Sequence, residues 1–269
     1  MTKLIFLLGN PIDHSISPGF WNETFNSLGI DAYYIAVNIS EDKVDKALKG
    51  IEAFDAIGAN VTIPYKQIIA RECSILHEAA ETTKVVNTIK FCSSGFEGWN
   101  TDYSALLSIF EEFKDIHKAL IIGDGASSKT TLEVLEKCNC NNILQIARKF
   151  GKTEVINKEQ KNLTKLVWNE KNFVHSVQES DIIINTTPIG WNSEDVIPGF
   201  SDSLNKDKIF LDFNYSNVSK LIKAANEKKC KVINGLELLL RQALDSFKIF
   251  FNDEPPEDIM RKAVYKHFC

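Results

Sequence analysis

The chain has no surplus of positive charge: across 269 residues, 31 Lys and Arg stand against 36 Asp and Glu, for a formal net charge of −5 and a pI near 5.6. That balance argues against nucleic acid as a main partner, because phosphate backbones require a basic face. Nor is there an apolar run long enough to span a bilayer, so no membrane partner is expected. The one hydrophobic opening, Leu4-Ile5-Phe6-Leu7-Leu8, is stopped by Gly9-Asn10-Pro11, which suits a buried first strand and not a secretion signal. Cysteines are scattered, and only Cys138 and Cys140 lie close together, without the second pair that a zinc site needs. They read as reduced thiols of a cytoplasmic protein. His14 has no second histidine at metal-ligand spacing, and His77, His117, His175 and His267 read as surface positions, so no metal is expected. The sequon matches at Asn60, Asn162 and Asn217 count as chance in a chain without a secretion signal.

What is present is the composition of a soluble protein with a real core, 44% hydrophobic and 25% charged. The length allows one large domain or two ordinary ones. Strand-like stretches are predicted at Lys3–Gly9, Ala32–Asn38, Ala56–Ile63, Val86–Phe91, Lys118–Gly123, Asn142–Ala147, Asp181–Asn185, Lys208–Asp212 and Lys231–Ile233. Helical periodicity falls between them, for instance at Glu41–Ala53, Tyr103–Phe113, Thr130–Cys138 and Val218–Lys229. Such alternation predicts an α/β fold of parallel sheets covered by helices. The end of the chain breaks the pattern with two helices and no strand, Leu236–Phe251 and Glu257–His267. A long helix with no sheet after it suggests a return to the first half, with crossings near Asn100–Asp102 and Asn234–Gly235.

Two stretches carry chemistry. In Leu120–Thr130 an apolar strand meets a helix through Gly123-Asp124-Gly125-Ala126-Ser127-Ser128. Glycines at the first and third positions give a tight turn and let N–H groups approach a pyrophosphate at the helix start. An ordinary strand-to-helix turn uses the same glycines, but a second strand about twenty residues on favours dinucleotide binding. That strand delivers Arg148-Lys149, with Lys152 behind, and no carboxylate. Cations there suit the 2′-phosphate of NADP, whereas NAD calls for an acidic residue. Asp124 sits badly in a phosphate loop unless it points away. The other stretch is Gly58–Lys66, GANVTIPYK, where an apolar run holding Asn60 and Thr62 is closed by Pro64 and then a lysine. Composition alone reads Lys66 as a solvated surface charge; the alternative is a placed one.

Taken together, several short motifs resemble the shikimate dehydrogenase family. GNPIDHSISP (9–18) resembles its substrate loop with paired serines, NVTIPYK (60–66) the segment of its catalytic lysine, VNT (86–88) its substrate asparagine and NTD (100–102) its catalytic aspartate. NTTPIG (185–190) is similar to the loop beside the nicotinamide, DFNY (212–215) to the motif ending in a substrate tyrosine, and GLELLLRQA (235–243) to the returning helix with its glutamine. The resemblance implies a substrate domain, 1–101 with 236–269, and an inserted NADP-binding Rossmann domain, 102–235. It implies reversible NADPH-dependent reduction of 3-dehydroshikimate to shikimate in aromatic amino-acid biosynthesis, by a monomer or homodimer. Lys66 and Asp102 are then catalytic. Ser15, Ser17 and Tyr215 suit the substrate carboxylate, and Thr62, Asn87 and Gln242 suit its ring hydroxyls. An extended loop would place both serine hydroxyls on one face. Cofactor contacts are implied at Gly123, Gly125, Ala126, Ser127, Arg148, Lys152, Thr187 and Gly235. The chain departs from the family's usual pattern at Trp21, at Lys84-Val85, at Asp124 and Ala126, and at Ala147 and Lys149, which flank Arg148. Two competing readings are an NAD-using quinate/shikimate dehydrogenase and a non-catalytic binder of the same substrate; intact Lys66 and Asp102 weigh against the second.

Overall fold

In the computed structural model, which describes residues 2–113, 116–150, 162–216 and 218–268, the apolar run near the N-terminus is strand β1 (Lys3–Gly9). It is followed by α1 (Ser17–Leu28), β2 (Ala32–Asn38), a 3-10 turn (Glu41–Lys43), α2 (Val44–Ala53), β3 (Gly58–Val61), α3 (Lys66–Glu72), β4 (Ile75–Leu76), α4 (Ala79–Thr83), β5 (Thr88–Cys92), β6 (Gly95–Trp99) and α5 (Thr101–Phe110). Then come β7 (Lys118–Ile122), α6 (Ala126–Lys137), β8 (Asn142–Ala147), β9 (Leu163–Val167), α7 (Glu170–Glu179), β10 (Ile182–Asn185), α8 (Phe200–Ser203), β11 (Ile209–Asp212), α9 (Lys220–Glu227) and β12 (Lys231–Ile233). Two helices close the chain, α10 (Gly235–Phe251) and α11 (Glu257–Phe268). The residues divide into two compact units, Met1–Ala105 with Leu239–Cys269, and Leu106–Leu238.

The first unit is built on a sheet of order β2-β1-β3-β5-β6-β4. It is not parallel throughout, as alternation alone predicts: β5 runs antiparallel to both β3 and β6. The reason is local. Cys92 pairs with Gly95 across a two-residue loop, and a parallel connection needs a crossover of a dozen residues or more. Gly95, the first residue of β6 after that loop, has φ +123°, in the region that favours glycine. One face of the sheet packs Phe6, Leu8, Val61, Tyr65, Ile69, Val86 and Ile89 into a core. Elsewhere in the unit Trp21 of α1 stacks on Tyr34 (ring centroids 5.4 Å apart, planes at 3°) and on Phe247 of α10 (6.2 Å, 7°). Trp21 is buried, so its departure from the family pattern is a packing choice. Burying a side chain of this size stabilises by roughly 1.5–3 kcal/mol.

The second unit holds a fully parallel sheet of order β12-β11-β10-β7-β8-β9. Counted along the chain that is 3-2-1-4-5-6 read from β9, the doubly wound order in which a ligand binds beyond the carboxyl ends of the strands. The strands are continuous buried apolar runs, as in Leu120-Ile121-Ile122 and Ile182-Ile183-Ile184, because helices cover both faces of such sheets. Strands β4, β6 and β9 lie outside the predicted set. Two residues of β4, and glycines at two of five positions in β6, leave little period-2 signal.

Candidate active site

Lys66 opens α3, where the positive end of a helix disfavours a cation. Its Nζ donates to Asp102 Oδ2 at 2.5 Å, with side chains only 12% and 9% exposed. Asp102 lies in the first turn of α5, which favours an anion. Its other oxygen, Oδ1, accepts Asn87 Nδ2 at 3.0 Å. Asn87 is locked in turn, because its Oδ1 accepts the backbone N–H of Thr101 at 2.8 Å while its Nδ2 also reaches Thr101 Oγ1 at 3.0 Å. Thr101 Oγ1 donates to Gln242 Oε1 at 3.4 Å. Lys66, Asp102, Asn87 and Gln242 therefore come together as one bonded set. The helix carrying Asp102 begins two residues before the predicted start at Tyr103, because Thr101 and its neighbours are anchored by Asn87.

Behind this set lies a second polar layer that the sequence reading assigned no role. Asn60 Nδ2 donates to Thr88 Oγ1 (2.9 Å) and Ser246 Oγ (3.0 Å), and its Oδ1 accepts the Tyr34 hydroxyl (2.9 Å). Ser246 donates to the Gln242 carbonyl at 2.9 Å. All four are buried. Two signals pointed to this layer: a lone asparagine inside the apolar run of β3, and a serine four residues after Gln242, hence on the same helix face.

Ser15 and Ser17 do not share an extended loop. Ile16 between them is in the right-handed helical region, Ser17 begins α1, and its N–H donates to Ser15 Oγ at 3.3 Å. Pro18 is the cause, since proline is pre-set for the first turn of a helix. The loop is pinned from below: Ile12 N–H donates to Asn38 Oδ1 (3.1 Å), and Asn38 Nδ2 to Asp13 Oδ1 (2.7 Å). Thr62 follows β3; its N–H donates to the Leu8 carbonyl at 2.9 Å, and its Cγ2 fills the space beside Gly9. Lys84 has φ +53° and closes α4 in the left-handed conformation. His77 is not a plain surface residue: it stacks on Trp99 (4.3 Å, 3°), and its Nε2 lies 2.7 Å from Glu97 Oε2.

In the second unit Gly123 (φ +124°) follows β7 and Gly125 caps α6. The two glycines are required for different reasons. A Cβ at Gly123 would sit 2.4 Å from Thr186 Oγ1, whereas one at Gly125 would meet nothing within 4 Å, and Gly125 has an ordinary φ of −93°. Among the described residues nothing demands glycine at Gly125, and the helix start that it caps is open. Ala126 and Ser127 form the first turn of α6, half-buried. The sixth loop position is a buried Ser128 whose Oγ bonds Thr186 Oγ1 at 2.7 Å, and Gln145 Nε2 holds the Gly123 carbonyl at 2.9 Å. Asp124 is half-buried beside this open start. Arg148 and Lys149 are exposed just past β8. Lys152 lies outside the described residues. The donor set, an open helix start with two cations and no carboxylate at the end of β8, fits a dinucleotide carrying a third phosphate.

Thr187 is spoken for within its own loop, its hydroxyl donating to Asn185 Oδ1 at 2.7 Å. Tyr215 packs edge-on against Trp191, ring centroids 5.0 Å apart. A Cβ at Gly235 would come within 2.3 Å of the Phe213 carbonyl oxygen, so this glycine has a packing reason of its own. Burial pushes the Asp212 carboxyl up to about 7 and raises that of Asp245, against the bond Asp245 receives from Ser104. Burial likewise pushes the Cys73 thiol up to about 12, which leaves it unreactive.

Two family models match the chain: the shikimate dehydrogenase substrate binding domain over residues 7–89 and the shikimate 5'-dehydrogenase C-terminal domain over residues 235–265. A shikimate dehydrogenase (NADP(+)) of Methanococcus maripaludis is 34% identical, covering 98% of this chain and 96% of that protein. Among solved structures, the shikimate dehydrogenase of Aquifex aeolicus is similar with a TM-score of 0.85 at 30% identity, over 98% of this chain and 97% of that one. A shikimate dehydrogenase in complex with NADP+ is equally similar (TM-score 0.85, 30% identity) over 100% of this chain and 96% of that one.

Proposed function

The chain belongs to the shikimate dehydrogenase family, and on that premise we propose that it catalyses the reversible, NADPH-dependent reduction of 3-dehydroshikimate to shikimate. It is an NADP-dependent oxidoreductase acting on a CH–OH group. The first unit is its substrate domain and the second its dinucleotide domain. The observation that carries the reading is the largely buried Lys66–Asp102 pair backed by Asn87, a cation held where its helix disfavours one. A surface charge needs no such arrangement.

When bound, NADPH supplies the hydride. Lys66 holds a proton at Nζ for the oxygen that develops negative charge as the ketone is reduced, and in the reverse direction takes that proton back. Asp102 keeps Nζ aimed through Oδ2, and Asn87 keeps the carboxylate from turning. Thr62, Asn87 and Gln242 hold the ring hydroxyls, each group both donating and accepting. Ser15 and Ser17 donate to the substrate carboxylate. Gly125, Ala126 and Ser127 present backbone N–H groups to the pyrophosphate, Gly123, whose own N–H bonds the Ile146 carbonyl, shapes the turn beneath it, Arg148 with Lys152 takes the 2′-phosphate, and Thr187 and Gly235 adjoin the nicotinamide half. We place the protein in the cytoplasm as a monomer or homodimer; among the described residues no helix is long and apolar enough to cross a membrane.

The test is the absorbance of reduced nicotinamide in four reactions, shikimate or quinate with NADP or NAD. Turnover with shikimate and NADP is expected to exceed the other three by more than tenfold. Preference for NAD or for quinate would overturn the cofactor or the substrate separately, and shikimate binding without turnover would leave a binding protein.

A further inference from the structure

The Thr186–Gly190 loop of the second unit rests on a carboxyl group that the reaction does not use. Asp212 ends β11, in register with Asn185 at the end of β10, and is fully buried. Its Oδ1 accepts three N–H groups at 3.0 Å: Asn185 Nδ2, the backbone N–H of Asn214 and Asn214 Nδ2. Its Oδ2 is buried without a hydrogen-bond partner. The amides that Asp212 orients also hold the loop. Asn185 Nδ2 reaches the Ile189 carbonyl (2.7 Å), and Asn214 Nδ2 reaches the carbonyls of Thr187 (2.9 Å) and Ile189 (3.0 Å). Asn185 Oδ1 takes both the N–H and the hydroxyl of Thr187. Gly190 follows at φ +102°, and a Cβ there would lie 3.5 Å from Asp212 Oδ2.

Oδ1, as the shared acceptor, holds both amides with nitrogen toward it. Replacing the carboxylate by a neutral acid weakens all three bonds, since bonds to an ionised acceptor are roughly twice as strong as neutral ones. Among the described residues, the groups that touch the carboxyl or lie beside it are uncharged: Asn185 on β10, Asn214 and Gly190. Charged groups of the adjoining loops are engaged elsewhere. Asp195 accepts the N–H groups of Gly190 and Asn192, and Glu194 pairs with Lys220 at 3.2 Å. We propose that Asp212 is a positioning residue whose single proton switches the Thr186–Gly190 loop between a loosely held and a tightly held arrangement, the ionised form gripping it. Only the consequence for NADP rests on the functional reading above. Burial places the change near neutral pH, about 7.

Trp191, whose N–H donates to the Pro188 carbonyl at 3.0 Å, is the reporter. Tryptophan emission of the ligand-free Trp99→Phe protein, which lacks the indole stacked on His77, titrated from pH 5 to 9, is expected to show an inflection near 7 that is lost on adding Asp212→Asn or Trp191→Phe. Asn214→Ala, which removes one of the three donors, should move the inflection upward. The dissociation constant of NADP should fall several-fold across the same range in the wild type and change less in Asp212→Asn, while that of shikimate changes equally in both. An inflection that survives Asp212→Asn, or none in the Trp99→Phe protein, would overturn the proposal. An inflection that behaves as expected in a protein that never binds NADP would leave the switch standing and remove the functional reading.

Discussion

The two units prepare for their ligands in opposite ways. In the first, the functional groups are side chains already bonded to one another, from Lys66 through Asp102, Asn87 and Thr101 to Gln242. In the second, the functional surface is backbone at an open helix start, with two exposed cations past the next strand. On the proposed reading, one side meets its ligand with geometry fixed beforehand, and the other leaves space for the ligand to fill. The difference predicts that damage on each side shows up in different constants. Lys66→Ala should break the comparison hardest: kcat is expected to fall by about 10²–10⁴-fold, the usual contribution of a positioned acid or base. NADP affinity, measured by titrating the free protein, should stay within about twofold. A comparable loss of NADP affinity would show that the two sides are not independent.

On the open side the effects are smaller and fall on the cofactor. Arg148→Ala should cut the preference for NADP over NAD by roughly 10–100-fold, since a bond between charged groups contributes about 1.5–3 kcal/mol. The measurement is kcat/KM with each cofactor; an unchanged ratio would move the 2′-phosphate contact to another residue. Gly125→Ser should raise the KM for NADP about tenfold, near 1.4 kcal/mol, with the melting temperature unchanged, because serine is a good helix cap and its Cβ meets no protein atom. Gly123→Ala is the contrast. Its φ of +124° and a contact of 2.4 Å with Thr186 Oγ1 should lower both affinity and melting temperature.

The same contrast decided how much the sequence disclosed. Strands β8 and β12 of the second unit are predicted residue for residue, and so are β1 and β2 of the first, because short β-branched and apolar stretches set between helical ones mark a strand. The glycine loop was legible too, though not that Gly123 and Gly125 serve different needs, since that depends on where Thr186 lands. In the first unit the antiparallel hairpin β5–β6 was not foreseen, because its turn is Ser93-Ser94 and its glycines weaken the strand pattern. The spacing of the serine pair reads as extended, but Pro18 draws it into a helix start instead. Lys66 shows the limit most clearly. Composition gave it to solvent, the motif around it gave it a role, and only the ion pair at a helix start supplies a physical reason for its place.

The buried layer behind the side-chain set offers the finest test. Ser246 donates once, to the Gln242 carbonyl, and lies 3.0 Å from both Asn60 Nδ2 and Thr88 Oγ1, so its hydroxyl is fully used. Ser246→Ala removes an acceptor from Asn60, whose amide still reaches Thr88 Oγ1 at 2.9 Å and the Asn87 carbonyl at 3.3 Å. The cost is therefore that of three buried contacts partly replaced, about 1–2 kcal/mol in urea unfolding. If the layer serves the site and not only the fold, the KM for shikimate should rise about threefold, worth roughly 0.6 kcal/mol, while the KM for NADP stays fixed. Stability lost with both KM values unmoved would make the layer structural alone, and the preparation of the first unit would then end at Asn87 and Thr101.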